Sequence, residues 1–248
     1  MRRPVECITY GADPSQVAWL HRPAGASRGV VVVIHGGFWK AAYGAELGDP
    51  LARDLAAAGW TAWNVEYRRV GNGGGFPETL DDVHAALDRL ADLDLDLRRV
   101  VTLGHSAGGH LATWAAARGR FERWSPARVA VTHVVSQGGV VDLAAAHADG
   151  LGSGAVAALI GGGPDDPAFA ERYDQADPGR QLPLAVPVWC VHARDDDTVP
   201  FSQSAGYVER ARAAGAMAAL VEVPGGHFGV VDRDSPAWAR IRELLDSW

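Results

Sequence analysis

The residues with the most chemical meaning are Gly104-His105-Ser106-Ala107-Gly108. They follow the β-branched run Val100–Leu103 and precede a helical stripe of Ala107, Leu111, Trp114 and Ala115. G-x-S-x-G at a strand-to-helix junction is the setting of a nucleophilic serine. The turn is tight, so the residues two before and two after the serine must be small or backbones collide, and Gly109 extends the clearance. Such a turn holds Ser106 Oγ above the sheet edge. It also aims the Ala107 N–H, at a helix N-terminus, toward a developing oxyanion.

A serine hydroxyl is a weak nucleophile until a base takes its proton and an acid orients the base. Nine histidines compete for the base. His105 and His110 flank the serine and cannot swing over it. His35 precedes a glycine loop, His133 in a strand and His192 at a strand end read as core residues or as residues backing a site, and His21, His84 and His147 lack context. His227 stands in Pro224-Gly225-Gly226-His227-Phe228-Gly229, a loop after the run Leu220–Val223, where flanking glycines can place an imidazole above the sheet edge. The chain order Ser…Asp…His puts the acid between the two. Asp195, Asp196 and Asp197 follow the run Val188–Val191. Three adjacent carboxylates cannot all turn inward without strong repulsion, and spacing does not choose among them. Asp142 competes, with the alternative of capping a helix over Leu143–His147. The loop His35-Gly36-Gly37-Phe38-Trp39 supplies the remaining oxyanion donors, the N–H groups of Gly37 and Phe38. Phe38, Trp39 and His105 are the substrate-binding candidates, with core packing an equal alternative for Trp39.

These side chains need a scaffold that brings distant loops to one edge. Near-continuous apolar runs at Val30–Ile34, Trp60–Val65, Val100–Leu103, Val129–Val135, Val188–Val191 and Leu220–Val223 read as strands covered on both faces. Weaker runs at Glu6–Tyr10 and Val17–His21 suggest an antiparallel start. Helical stripes lie between them. Asp49-Pro50 reads as a cap plus first-turn proline, with Gly59 as the stop. Leu80, Val83, Leu87 and Leu90 form the next stripe. Ser202 to Gly215 frames another, and Ser235-Pro236 opens the last, with Trp238, Ile241, Leu245 and Trp248 on one face. Strand–helix alternation predicts an α/β fold: a mostly parallel sheet of about eight strands, helices on both faces and no large separate cap. Right-handed crossovers align the strand C-terminal ends along one edge, where such sheets bind ligands. One domain over 1–248 is expected. The irregular stretch 137–187, with a short helix at Ala155–Ile160, is either a small lid or pocket wall or an ordinary crossover with a surface loop.

The 248 residues carry 23 basic and 30 acidic side chains, a formal charge of −7, with Lys40 the single lysine. An acidic chain of this kind is a poor nucleic-acid clamp. Cys7 and Cys190 are expected as reduced thiols, and without CxxC, HExxH or ligand-spaced clusters neither metal nor organic cofactor is expected. Gly71-Asn72-Gly73-Gly74-Gly75 lacks the trailing lysine of a phosphate loop. Met1-Arg2-Arg3-Pro4-Val5-Glu6 carries no apolar signal core, and no apolar run reaches the roughly 18 residues of a membrane span, so a cytoplasmic protein is expected. The expected partner is a small-molecule ester or formamide, with a homodimer left open.

Together the motifs resemble the α/β-hydrolase superfamily, over roughly residues 5–248. His35-Gly36-Gly37 is similar to its HGG oxyanion motif and Gly104–Gly109 to the nucleophile elbow of the esterase/lipase branch. His192…Asp196…Val199-Pro200 resembles the H-G-x-x-D-x-x-V-P acid motif shared with prolyl oligopeptidases, with Ala193 in place of glycine, and Gly226-His227-Phe228 fits the histidine loop. The resemblance implies Asp196 as the triad acid and a serine esterase as the activity. Two departures stand out: Phe38 replaces a third glycine and His105 replaces the aspartate usual in hormone-sensitive-lipase-like esterases. His35-Gly36-Gly37-Phe38-Trp39 is instead similar to the HGGxW motif of kynurenine formamidases, which makes an arylformamidase the alternative. A peptidase of prolyl-oligopeptidase type, which would lack its gating propeller, and a non-catalytic binding protein on this fold rank below both.

Overall fold

The computed structural model describes residues 4–248; Met1–Arg3, part of the stretch read for a signal core, lie outside the described residues. Eight strands form one sheet: β1 (Glu6–Thr9), β2 (Val17–His21), β3 (Val30–Ile34), β4 (Thr61–Val65), β5 (Val100–His105), β6 (His133–Gln137), β7 (Val188–Ala193) and β8 (Ala218–Val223), in the order β1-β2-β4-β3-β5-β6-β7-β8. β1–β2 and β2–β4 pair antiparallel, and every other pair is parallel. The predicted antiparallel start and parallel body are both present.

The helices are α1 (Asp49–Ala57), α2 (Glu78–Arg89), α3 (Ala107–Ala115), α4 (Leu143–Ala148), α5 (Leu151–Ile160), α6 (Ala170–Ala176), α7 (Phe201–Ala213), α8 (Gly226–Gly229) and α9 (Pro236–Asp246). Alternate side chains of one strand serve opposite faces of the sheet. Val30, Val32 and Ile34 of β3 join the layer holding α2, α3 and the 143–176 helices, whereas Val31 and Val33 join α1 and α9. All five are at most 2% exposed, as a strand covered on both faces requires.

Several boundaries differ from the sequence reading, each for a local reason. The run Val129–Val135 becomes a strand only from His133. Asp88 accepts the Arg128 and Val129 amides, and Arg118 donates to the Val129 carbonyl, so side chains satisfy that backbone before the ladder begins. Asp49 does not cap α1. It lies inside the first turn and pairs with Arg53, with Gly48 at the cap position. α7 starts at Phe201 behind Pro200, not at Ser202. Ser235 does cap α9, accepting the Trp238 amide at 3.0 Å. The 138–187 stretch packs into the core through Leu143, Val156, Ile160 and Tyr173, each at most 1% exposed. It includes the expected Ala155–Ile160 helix, preceded by left-handed backbone at Gly152, Ser153 and Gly154. Among the described residues, no helix is long and apolar enough to cross a membrane.

Candidate active site

The parallel strands end on one edge, and the four motif loops gather there. β5 runs into α3 through Ser106, whose φ of 56° and ψ of −118° are unusual for a residue with a side chain. The turn is so close that a Cβ on Gly104 would lie 2.0 Å from the Gly108 carbonyl oxygen, and one on Gly108 2.0 Å from the Ile34 oxygen. Bare backbone at both positions is therefore a steric necessity. The Ser106 amide donates to Gln137 O at 2.9 Å, which ties the elbow to β6.

Of the three adjacent carboxylates, only Asp196 turns inward. Its Oδ2 accepts His227 Nδ1–H at 2.7 Å and His192 Nε2–H at 3.1 Å. Its Oδ1 accepts the Thr198 and Val199 amides at 2.9 and 2.8 Å. Burial raises this carboxyl, but the hydrogen bonds from His192, His227 and the two amides outweigh it and hold the group far below the usual carboxylate range. Asp195 instead accepts the Gly226 amide at 3.2 Å, and Asp197 accepts the Thr198 hydroxyl at 3.0 Å. Asp142 caps α4 through the Ala145 amide and pairs with Arg210, which occupies it fully.

His227 sits in the short helix α8, entered through Gly225 at φ 107°. Because Asp196 only accepts, it is Nδ1 that donates, and Nε2 is left facing away from the carboxylate. Ser106 and His227 are 2% and 4% exposed. Among the described residues Ser106 Oγ makes no hydrogen bond, so the hydroxyl has no competing partner. Such contacts commonly tighten only when substrate binds.

His105 was a substrate-binding candidate, but its Nε2–H donates to the His227 carbonyl at 2.9 Å. Burial and the neighbouring His227 push it down to about 3, so it is a neutral strut between the elbow and the histidine loop. It also borders a pocket of about 80 Å³ lined by Gly36, Leu47, Leu51, Gln137 and Phe228. Leu47 and Phe228 there are 48% and 67% exposed. A larger groove of about 490 Å³, lined by His21, Arg22, Arg53 and Gly59, opens near the start of β4 and contains none of these motifs.

The glycine loop is strained. Phe38 and Trp39 have φ of 51° and 55°, each a cost on the order of 1–3 kcal/mol. Bonds from Lys40 N to Gly37 O (3.0 Å) and from Val70 N to Trp39 O (2.8 Å) hold that shape. Trp39 corrects the pocket expectation. It is 0% exposed and donates from Nε1 to His110 Nδ1 at 3.2 Å, so it anchors the loop in the core and has no face left for substrate. Phe38 is half-buried against the left-handed turn of α5, where a Cβ on Gly152 would come within 2.5 Å of its ring, and Lys40 Nζ donates to Gly152 O at 2.9 Å. The 137–187 stretch thus borders the His35–Trp39 loop. The amides of Gly37, Phe38 and Ala107 have no hydrogen-bond partner among the described residues.

His192, which the sequence places either in the core or behind the site, is the second donor to Asp196. The role of Asp195 in holding the histidine loop and that of Gln137 Nε2, which donates to Val230 O, carry no sequence signal.

The BD-FAE family model matches residues 19–210. No curated protein matches the chain. Among solved structures, esterase B of Lactobacillus rhamnosis with a tributyrin phosphonate superposes with a TM-score of 0.83 at 24% identity, over 98% of this chain and 84% of that one. Esterase 2 of Thermogutta terrifontis, phosphoramylated by tabun, gives 0.78 at 21%, over 98% and 92%. A bifunctional GH43-CE protein of Bacteroides eggerthii gives 0.78 at 23% over 96% of this chain, which spans only 37% of that longer protein. These likenesses establish the α/β-hydrolase fold.

Proposed function

The chain belongs to the BD-FAE family, and on that premise we propose that it is a serine hydrolase of carboxylic esters, working through an acyl-enzyme. The observation that carries this reading is the 2.7 Å bond from His227 Nδ1 to the buried carboxylate of Asp196, the one acid turned toward the edge where Ser106 stands. Ser106 Oγ attacks the acyl carbon while His227 Nε2 takes its proton. The carbonyl oxygen becomes an oxyanion held by the Gly37 and Ala107 N–H groups, with Phe38 N–H alongside. Collapse breaks the ester bond, and the departing alkoxide takes the proton back from His227. A water then gives its proton to His227 and attacks the acyl-enzyme, releasing the acid and restoring Ser106. Asp196 fixes the tautomer and balances the imidazolium at each stage.

The names of the neighbouring structures support ester substrates. The arylformamidase alternative rested on Trp39 completing an HGGxW motif. Trp39 is wholly core and so does not itself contact substrate, and the choice between ester and formamide falls to the substrate panel.

Three measurements test the reading. Fluorophosphonate should label Ser106, and Ser106→Ala should abolish labelling and nearly all turnover while the protein folds normally. A panel of short esters, long esters and N-formylkynurenine should favour esters. Undiminished hydrolysis by Ser106→Ala would refute the nucleophile, and a dominant activity on formylkynurenine would replace the ester reading.

A further inference from the structure

The oxyanion loop is backed by a buried charge cluster that the proposed mechanism leaves unused. His35, with its side chain 0% exposed, stacks on Tyr67 at 4.4 Å between ring centroids. Its Nε2 lies 3.1 Å from Glu66 Oε1 and its Nδ1 2.8 Å from the Gly36 carbonyl oxygen. Every other hydrogen-bond or ion-pair partner of the Glu66 carboxylate is a donor: Arg69 Nη1 at 2.7 Å, the Tyr67 amide at 2.8 Å and the Ala45 amide at 3.0 Å. Burial raises Glu66, but its hydrogen bonds from His35 and the two amides win and hold it below the ordinary glutamate value. Glu66 is therefore ionised and accepts from His35. The Gly36 carbonyl can also only accept. A ring with an acceptor on each side carries a proton on each nitrogen. His35 and Arg69 then face the Glu66 carboxylate, with the Glu46 carboxylate close by on the Arg69 side: a Cβ on Gly44 would lie 2.5 Å from Glu46 Oε2, 2.7 Å from Glu66 Oε2 and 3.3 Å from Arg69 Nη1.

The peptide geometry turns this into chemistry. The Gly36–Gly37 bond is trans, so its C=O and N–H point in opposite directions. With the carbonyl pinned to His35 on one side, the Gly37 N–H points to the other. Gly36 itself lies against the elbow: a Cβ on it would come 2.8 Å from the His105 carbonyl oxygen and 3.0 Å from Ser106 Cβ. A cation on the carbonyl also polarises the peptide and strengthens its N–H as a donor.

We infer that His35 is a positioning residue, a buried imidazolium that bridges Glu66 and the Gly36 carbonyl and thereby aims and polarises the Gly37 N–H for the oxyanion. The inference rests on the serine-hydrolase reading.

Its test uses two substitutions that each keep one half of the ring. His35→Asn puts an amide nitrogen near the Nδ1 position and retains the Gly36 anchor without the charge. His35→Gln puts one near Nε2, keeps Glu66 and loses the anchor. The Gln variant should lose about 10²–10³-fold in kcat, the effect of removing one oxyanion donor, with KM within about threefold. The Asn variant should recover a substantial part of that loss although both melt at similar temperatures. Independently, ¹⁵N NMR of the wild-type ring at pH 7 should show both His35 nitrogens protonated, and this signature needs no variant to fold. An unprotonated His35 nitrogen, a Gln variant with wild-type kcat, or an Asn variant no better than Gln overturns the inference. If the wild type neither turns over esters nor labels at Ser106, the hydrolase reading itself has failed and the inference with it. An active wild type with an indifferent His35 leaves that reading standing and sinks only the inference.

Discussion

Replacing Asp196 by Asn changes one atom and reverses the hydrogen-bond logic around it. Oδ2 accepts from His227 Nδ1 at 2.7 Å and from His192 Nε2 at 3.1 Å, while Oδ1 accepts two amides. An asparagine placed with its oxygen on the Thr198 and Val199 amides presents its NH₂ to both histidines. His192 keeps the Val199 carbonyl, 3.0 Å from Nε2, as a second acceptor. His227 has none at Nδ1, so its favourable response is to move its proton to Nε2. That is the tautomer that cannot take a proton from Ser106. A wrong tautomer in such a triad costs about 10⁴ in kcat, or roughly 5.5 kcal/mol of transition-state stabilisation. Stability should fall by a further 1–3 kcal/mol or so, because a buried charge-assisted network is broken. The assay is kcat for a short p-nitrophenyl ester at pH 8, corrected for active sites by phosphonate titration, with a thermal melt alongside. Asp195→Asn, Asp197→Asn and Asp142→Asn should stay within a few-fold of wild type. A folded Asp196→Asn variant within tenfold of wild type, or a larger loss at any of the other three, would refute the reasoning.

Gly138→Ala tests how tightly the Asp196–His227 pair is enclosed: at φ 52° a Cβ would lie 3.2 Å from Asp196 Oδ2 and 3.5 Å from His227 Nδ1. It should lower kcat at least tenfold and stability by about 1–2 kcal/mol, and a variant with unchanged kcat would show that the pair has room to move. Asp177, 1% exposed, is pushed up to about 6 by burial and by Asp142, against the amides of Leu143, Gly179 and Ala144. A folded value above the unfolded one means that its stabilisation is complete below pH ~4 and is lost as pH rises through about 6, a change on the order of 3 kcal/mol. Denaturant titrations of wild type and Asp177→Asn across pH 4–7 should differ by that slope, and parallel curves would contradict it. Trp39→Phe removes the bond to His110 and should cost about 1–2 kcal/mol of stability with KM unchanged for every ester. A substrate-selective KM change would return Trp39 to the pocket.

How much of this was legible in the sequence depends on the range of each interaction. Strands and elbow were readable because their causes are local. Val30–Ile34 is apolar throughout because both faces are covered, and Gly104 and Gly108 are fixed by a collision within one turn. The sequence misleads where another side chain intervenes, whether from another element or from the next turn. Val129–Val131 has strand composition, yet Asp88 and Arg118 claim its backbone from another element. Asp49 has the right residue type for a cap, but Arg53 one turn later competes for its carboxylate.

The candidate site divides in the same way. Ser106 and His227 were indicated by glycines beside them, and glycines mark backbone constraint, which is a local property. Spacing alone could not choose among Asp195, Asp196 and Asp197, because the choice depends on which carboxylate meets imidazoles from β7 and α8 that converge only after folding. Trp39 was read by its distance from the glycines, when what decides its role is His110 on α3, 71 residues away. Glu66 and His35 are likewise 31 residues apart and ordinary in isolation. Their meaning lies in a protonation state that exists only when the carboxylate and the Gly36 carbonyl face opposite sides of one ring. Sequence therefore specifies where the reacting groups can stand, and the fold decides their charge, tautomer and aim. The substitutions that separate these contributions are the isosteric ones, Asp196→Asn and the His35 pair, because they leave shape nearly intact and change only which atom donates.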